Sequence, residues 1–222
     1  MIQPPRPQKA QRDLTGLLTV TFHNMDDGKE FTKAFTELRA GVSWPIRSIR
    51  GYMCILGVLA GKAFGKENSL MLVYESDYPD SLELMTDAYN RAHDLRFQTF
   101  YTDRQKLDWK GFNFDFERKI RGGLGGRDIR LKHSPFAGDF VLGKDTIRRI
   151  AGQKAFFDLP RASLLVDQLS NIQPEDMDTD HPEYKFHAIN AFRYLLVAWS
   201  HENSPAAKGL RDERQTTVMG WA

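Results

Sequence analysis

A single cysteine, Cys54, in 222 residues leaves no partner for an internal disulfide and excludes a cysteine-based zinc site. It lies in an apolar run, so a buried structural thiol in a reducing, cytoplasmic compartment is expected rather than a nucleophile. Long hydrophobic runs are missing too. The longest, Tyr52 to Ala60, is about half of what spans a bilayer, and Met1 to Pro7 has no signal-peptide core; no membrane association is expected. Neither charge sign dominates: 31 Lys and Arg stand against 29 Asp and Glu, a net +2. Any nucleic-acid surface must therefore be a local patch. No Gly-x-Ser-x-Gly elbow, His-Glu-x-x-His pair or phosphate-binding loop occurs, which excludes the enzyme classes that depend on them.

What is present is the composition of a soluble globular chain, 41% apolar and 27% charged, long enough for a sizeable core. Residues 1–12 are proline-rich and polar and read as a mobile arm. Leu17 to Phe22 reads as a strand, and Asp26-Asp27-Gly28 turns the chain into a helical segment with Phe31, Phe35 and Leu38 at helical period. Ser43-Trp44-Pro45 is a break. These parts make an extension over 1–42, followed by a domain over 43–202 and a polar tail over 203–222.

Within that domain, Gly51–Gly61 and Ser69–Tyr74 read as an antiparallel, mostly buried pair. Pro79-Asp80-Ser81 starts a helix, with Leu82, Met85 and Tyr89 inward and Asp80 or Ser81 as cap. Phe97 to Tyr101 is a strand expected to return beside the first of the pair, giving a mixed sheet. Ile129–Lys132 and Phe140–Leu142 are expected to form a small hairpin. Pro160 opens a helix through Leu169, and a last helix covers 182–200. That helix carries an apolar stripe, Ile189, Phe192, Leu196 and Trp199, and a polar one, Glu183, His187, Asn190 and Tyr194. The polar stripe fits either a solvated face or a set of ligands.

The segment His187-Ala188-Ile189-Asn190-Ala191-Phe192-Arg193-Tyr194 resembles the last helix of the ribonuclease-H-like nuclease domain of phage terminase large subunits. There a His…Asp-Ala-Leu-Arg-Tyr pattern closes the fold. The resemblance covers roughly residues 51–200. It implies an α/β fold, a ribonuclease-H-like mixed sheet flanked by helices, and a metal-dependent endonuclease of phage DNA packaging using Mg²⁺ or Mn²⁺. Implied partners are double-stranded DNA and a separate packaging ATPase or portal, since the motor domain of that family is not in this chain.

In that resemblance Asp103, at the end of a strand, matches the family's second acidic residue, and Asn190 stands where the family has a metal-binding Asp. Asp180 joins them as a catalytic candidate. The family's first acidic residue lies in the first core strand, but the run Cys54 to Gly61 has no carboxylate. If Leu17 to Phe22 is that strand, Asp26 or Asp27 lies just past its end. Otherwise Glu75 and Asp77 are the nearest replacements, two residues apart and so on one face of a strand. Glu183 and His187, one turn apart, complete the expected metal set of Asp103, Asp77, Glu75, Glu183 and His187. An amide at 190 brings oxygen but no charge, and Mg²⁺ sheds water reluctantly.

Between residues 104 and 133 there are nine basic and four acidic side chains, an excess of five, interleaved with Trp109, Phe112, Phe114 and Phe116. Arg121-Gly122-Gly123-Leu124-Gly125-Gly126-Arg127 sets two guanidiniums around a glycine loop. Glycine lets backbone amides approach phosphate, and arginine forks onto its oxygens. Arg104, Arg121, Arg127, Arg130 and Lys132 are the expected DNA contacts. Two functional readings stay open: a metal-dependent endonuclease or its relic, and an inactive DNA-binding or packaging-accessory module of the same fold.

Overall fold

The computed structural model describes residues 6–45, 50–63, 66–67, 69–103, 130–134, 143, 145–149, 157–158, 163–173 and 186–202, to which every structural statement below refers. Its strands are β1 (Arg6–Arg12), β2 (Leu18–His23), β3 (Glu30–Ser43), β4 (Gly51–Leu59), β5 (Lys62–Ala63), β6 (Lys66–Glu67), β7 (Leu70–Tyr78), β8 (Thr99–Thr102), β9 (Arg130–His133) and β10 (Phe157–Asp158). The helices are α1 (Ser81–Leu95), α2 (Leu164–Asn171) and α3 (His187–Glu202). Strands β7, β4 and β3 pair antiparallel to one another in that order, β10 pairs parallel to β7, and β8 and β9 follow on the other side of β3, both parallel. Three antiparallel strands, a helix, and parallel strands added beside the first make a ribonuclease-H-like mixed sheet. Helix α1 covers one face; α2 and α3 cover the other.

The segment expected to be helical, 31–38, is instead the first half of β3, the central strand. Tertiary pairing overrides a short helical period here. Phe31 and Phe35 also fit the two-residue strand period, and β2 presents Phe22 and Leu18 directly opposite them. The Phe22 and Phe31 rings stack at 5.1 Å, a pair worth about 0.5–1.5 kcal/mol beyond its buried area. The turn between β2 and β3 closes with Gly28 at φ 69°, a conformation glycine adopts without steric cost.

The expected arm over 1–12 is also corrected over its described part. Arg6–Arg12 pairs with β2, Ala10 is buried, and Arg91 of α1 reaches the Pro7 carbonyl at 3.5 Å. Arg91 lies over the Tyr74 ring at 4.2 Å, and Tyr74 and Tyr78 both donate to Asp87, so β1, α1 and β7 share one polar tie.

Other expectations hold. β4 and β7 are the antiparallel buried pair, β3 stops at Ser43, and Asp80 caps α1 by accepting from the Leu82 and Glu83 amides. The inner face of α1 is displaced, however: Leu82 is 56% exposed, while Leu84, Ala88, Tyr89, Ala92 and Leu95 are buried. Strand β8 lies beside β3, not β4, because β3 is the first strand of the motif. β9 pairs in parallel with β8; Phe140–Leu142, its expected hairpin partner, lies outside the described residues. α2 begins at Leu164, four residues past Pro160.

Helix α3 packs through Ile189, Phe192 and Leu196, all nearly inaccessible, with Trp199 partly buried at the rim. Its polar stripe is not a solvated face, since Asn190 and Tyr194 are buried as well. Close approach to the sheet requires Gly41: a Cβ there would stand 2.0 Å from the Ala191 carbonyl oxygen. Gly41→Ala should therefore cost about 1–3 kcal/mol by forcing α3 off the sheet. Thermal unfolding should show it as a fall of roughly 2–4 °C per kcal/mol; an unchanged Tm would mean that α3 sits elsewhere.

Candidate functional site: a buried polar junction between the sheet and the last helix

On the α3 side of the sheet, the strand period brings Asp77, Tyr52 and Ser43 into one row across β7, β4 and β3. Asp103 follows Thr102, whose register partner is Val42, and so extends that row past the end of β8. Asp103 is only 5% exposed and Asn190 is fully buried. Beside Asn190 is Arg193, at 1% exposure, whose Nη2 donates to the Asn190 Oδ1 at 3.3 Å. The Arg193 guanidinium also lies over the Tyr194 ring at 5.1 Å. Gly143 makes room for it, since a Cβ at 143 would come within 2.1 Å of the Arg193 Cδ. Ser134, just past β9, donates to the Tyr194 carbonyl at 2.7 Å and ties α3 to the sheet edge. The row thus ends on one buried carboxylate, and α3 adds an amide paired with a permanently charged guanidinium.

Glu75 and Asp77 have other employment. Glu75 accepts from the Tyr52 hydroxyl, from Ser163 Oγ at 3.0 Å, and from the amides of Leu164 and Leu165 at 3.1 and 3.2 Å. It is the anionic cap of α2, where the helix dipole favours negative charge. Asp77 forms an ion pair with Arg50. From β7 to β8 there are three strand spacings, roughly 14 Å, so Asp103 does not converge with Glu75 and Asp77.

His187 stands near the Asp77 end of the row. Its Nδ1 accepts from Gln168 Nε2 at 3.4 Å, while Gln168 Oε1 accepts from the Ala188 and Ile189 amides, capping α3. The proton is therefore on Nε2, which is buried with no hydrogen-bond partner among the described residues. Burial holds the His187 pKa below 6.5, the Arg50 charge lowering it further and Asp77 opposing.

Two metal ions about 3.5–4 Å apart need several converging carboxylates. Among the described residues, no group of three His, Cys, Asp or Glu side chains is placed to hold even one. The described donors do not fit a two-metal centre. Asp180, Glu183, Arg104, Arg121 and Arg127 lie outside the described residues, and of Arg130 only the backbone, in β9, is described.

Lys132 is on β9, donating to Glu202 at the far end of α3. Glu202 also accepts from Tyr101 at 2.9 Å and Arg39 at 3.0 Å, and Arg39 pairs with Glu37 at 2.9 Å. Burial raises the Glu202 pKa, but these donors outweigh it and hold the carboxyl below its ordinary value. Sequence reading missed Arg39, Glu37 and Glu202 because the strand carrying the first two read as a helix. It missed Arg193 as a buried charge because arginine is ordinarily a surface residue. No described helix is long and apolar enough to cross a membrane.

No protein-family model matches this chain, and no curated protein does. Among solved structures the chain is similar to the crystal structure of the fowlpox virus Holliday junction resolvase, at 10% identity and a TM-score of 0.39, over 75% of this chain and 99% of that one. The fold class rests on the strand order itself.

His187 gives the start of α3 a pH signature. Because its folded pKa is depressed, the unfolded chain binds more protons below about pH 6.5. Its contribution is complete above that value and is lost as the pH falls toward the folded pKa. Urea titrations from pH 7.5 to 5 should show declining stability, and His187→Gln should flatten that decline. Equal slopes in both proteins would contradict a buried neutral imidazole.

Proposed function

We propose that this chain is a DNA-binding module of ribonuclease-H-like fold, related to terminase nucleases but without their cutting site, serving DNA packaging as an accessory. The observation that carries this reading is Asn190, fully buried and accepting from Arg193 through its Oδ1, where terminase nucleases have a metal-binding Asp. An amide there offers an oxygen but not the negative charge that would offset the dehydration of a divalent cation. The close crossing at Gly41 also bars a side chain from that position of the central strand.

The DNA role is supported by the basic, glycine-containing stretch between β8 and β9, which holds Arg104, Arg121 and Arg127, and by Arg130 and Lys132 on β9. Phosphate contacts position a protein on DNA without reading sequence. The endonuclease reading keeps one observation in its favour: Asp103, at the carboxyl end of a strand, is where open α/β sheets place their sites.

Two measurements separate these readings. Exchanging Arg121, Arg127 and Arg130 together for alanine should weaken duplex binding about equally for all sequences. It should also reduce the salt dependence by up to about one unit per lost contact. Unaltered affinity would remove the DNA surface from this loop. In plasmid nicking with Mg²⁺ or Mn²⁺, the native chain, Asp103→Asn and Asn190→Asp should all leave supercoiled DNA intact. Metal-dependent cutting that disappears in Asp103→Asn would restore the endonuclease.

A further inference from the structure

Strand β3 has two different neighbours along one edge. β2 pairs with it as far as Phe35, and β8 takes over at Ala40, so Thr36–Arg39 face no described strand on that side. The gap opens into a cavity of about 530 Å³, bounded by the end of β1, the start of β8, β9 and the last turn of α3. Its lining carries Arg12, Arg39, Arg96 and Lys132 against only Glu37 and Glu202, two more cations than anions. Arg39 and Lys132 are bound to the two glutamates. Arg12 and Arg96 are exposed and form no ion pair among the described residues, so the excess charge belongs to these two guanidiniums.

Arg96 carries a second sign of selection for the cavity. It follows α1 at φ 56°, ψ 42°, the left-handed conformation that closes helices and that glycine adopts without steric cost. Arginine there is strained, and a strained residue facing a cavity points to use rather than to stability. The accessible lining is mostly polar, since Leu18, Leu38 and Phe97 behind it are buried in the core. Arginine forks suit phosphate oxygens, and the volume is that of a small-molecule site.

We propose that this notch binds a nucleotide phosphate, carried by a free mononucleotide or by the 5′ end of a strand, with Arg12 and Arg96 holding the phosphate. The inference does not rest on the duplex-binding reading, since it uses neither the 121–127 loop nor the Asp103 junction.

Calorimetric titration of the full chain with dTMP, and with a tetranucleotide bearing either a 5′-phosphate or a 5′-hydroxyl, tests it. The expected result is binding that requires the phosphate and weakens with salt. Arg12→Ala and Arg96→Gly should each weaken it about tenfold or more, as loss of a charge-assisted hydrogen bond does. Arg96→Gly also relieves backbone strain, so its Tm should hold or rise while binding falls, a pairing that a purely structural role cannot produce. Tighter binding of the phosphorylated tetranucleotide than of dTMP assigns a strand end; the reverse assigns a free nucleotide. The Arg121, Arg127 and Arg130 triple exchange should leave dTMP binding intact, which keeps this site distinct from the duplex surface. Absence of binding by both phosphorylated probes, equal binding of the 5′-hydroxyl strand, or full affinity in Arg96→Gly would overturn the proposal.

Discussion

The contact between the backbone of α3 and Gly41 sets the depth of the α3-side layer. A helix normally stands off a sheet by the length of the side chains between them, but here a carbonyl lies where a Cβ would be. That approach buries α3 almost all round, from Ala188 to Ala198. It draws Asn190 and Arg193 out of water along with the apolar stripe. The polar junction is therefore a product of the same geometry that makes the core, and its charges must be satisfied inside the protein.

The strand pair β4/β7, the cap at Asp80, the end of β3 and the apolar stripe of α3 were all legible in the residues, because each rests on a local signal. Continuous apolar runs, an acidic cap and a helical period survive tertiary packing unchanged. Strand β3 was not legible, since Phe31, Phe35 and Leu38 satisfy helical spacing and the pairing that decides otherwise is with β2 and β4. Misplacing the central strand then misplaced the neighbour of β8. It also hid Glu37 and Arg39, which meet Trp199 and Glu202, 162 and 163 residues away respectively. The polar stripe of α3 was visible, but its burial was not, because polarity alone cannot tell a wet face from a satisfied one.

Carboxylates illustrate the same point. Glu75 and Asp77 looked like a pair of acids at a strand end, and strand alternation does put them on one face. What spacing could not show is that the amides of α2 arrive at Glu75 and that Arg50 meets Asp77. An acid at the end of a strand is as useful for anchoring a helix as for holding a cation, and only the partner brought by the rest of the chain decides between them.

The anchoring at Glu75 extends further than α2. Gln168, on α2, in turn closes the first amides of α3, so two helices distant in sequence are held by successive side-chain caps running from β7. Neither helix can fray at its start without baring the buried donors of the next. Amide protons at both helix starts should thus be released to solvent in a single opening event, a cooperative unit defined by capping rather than by shared apolar surface.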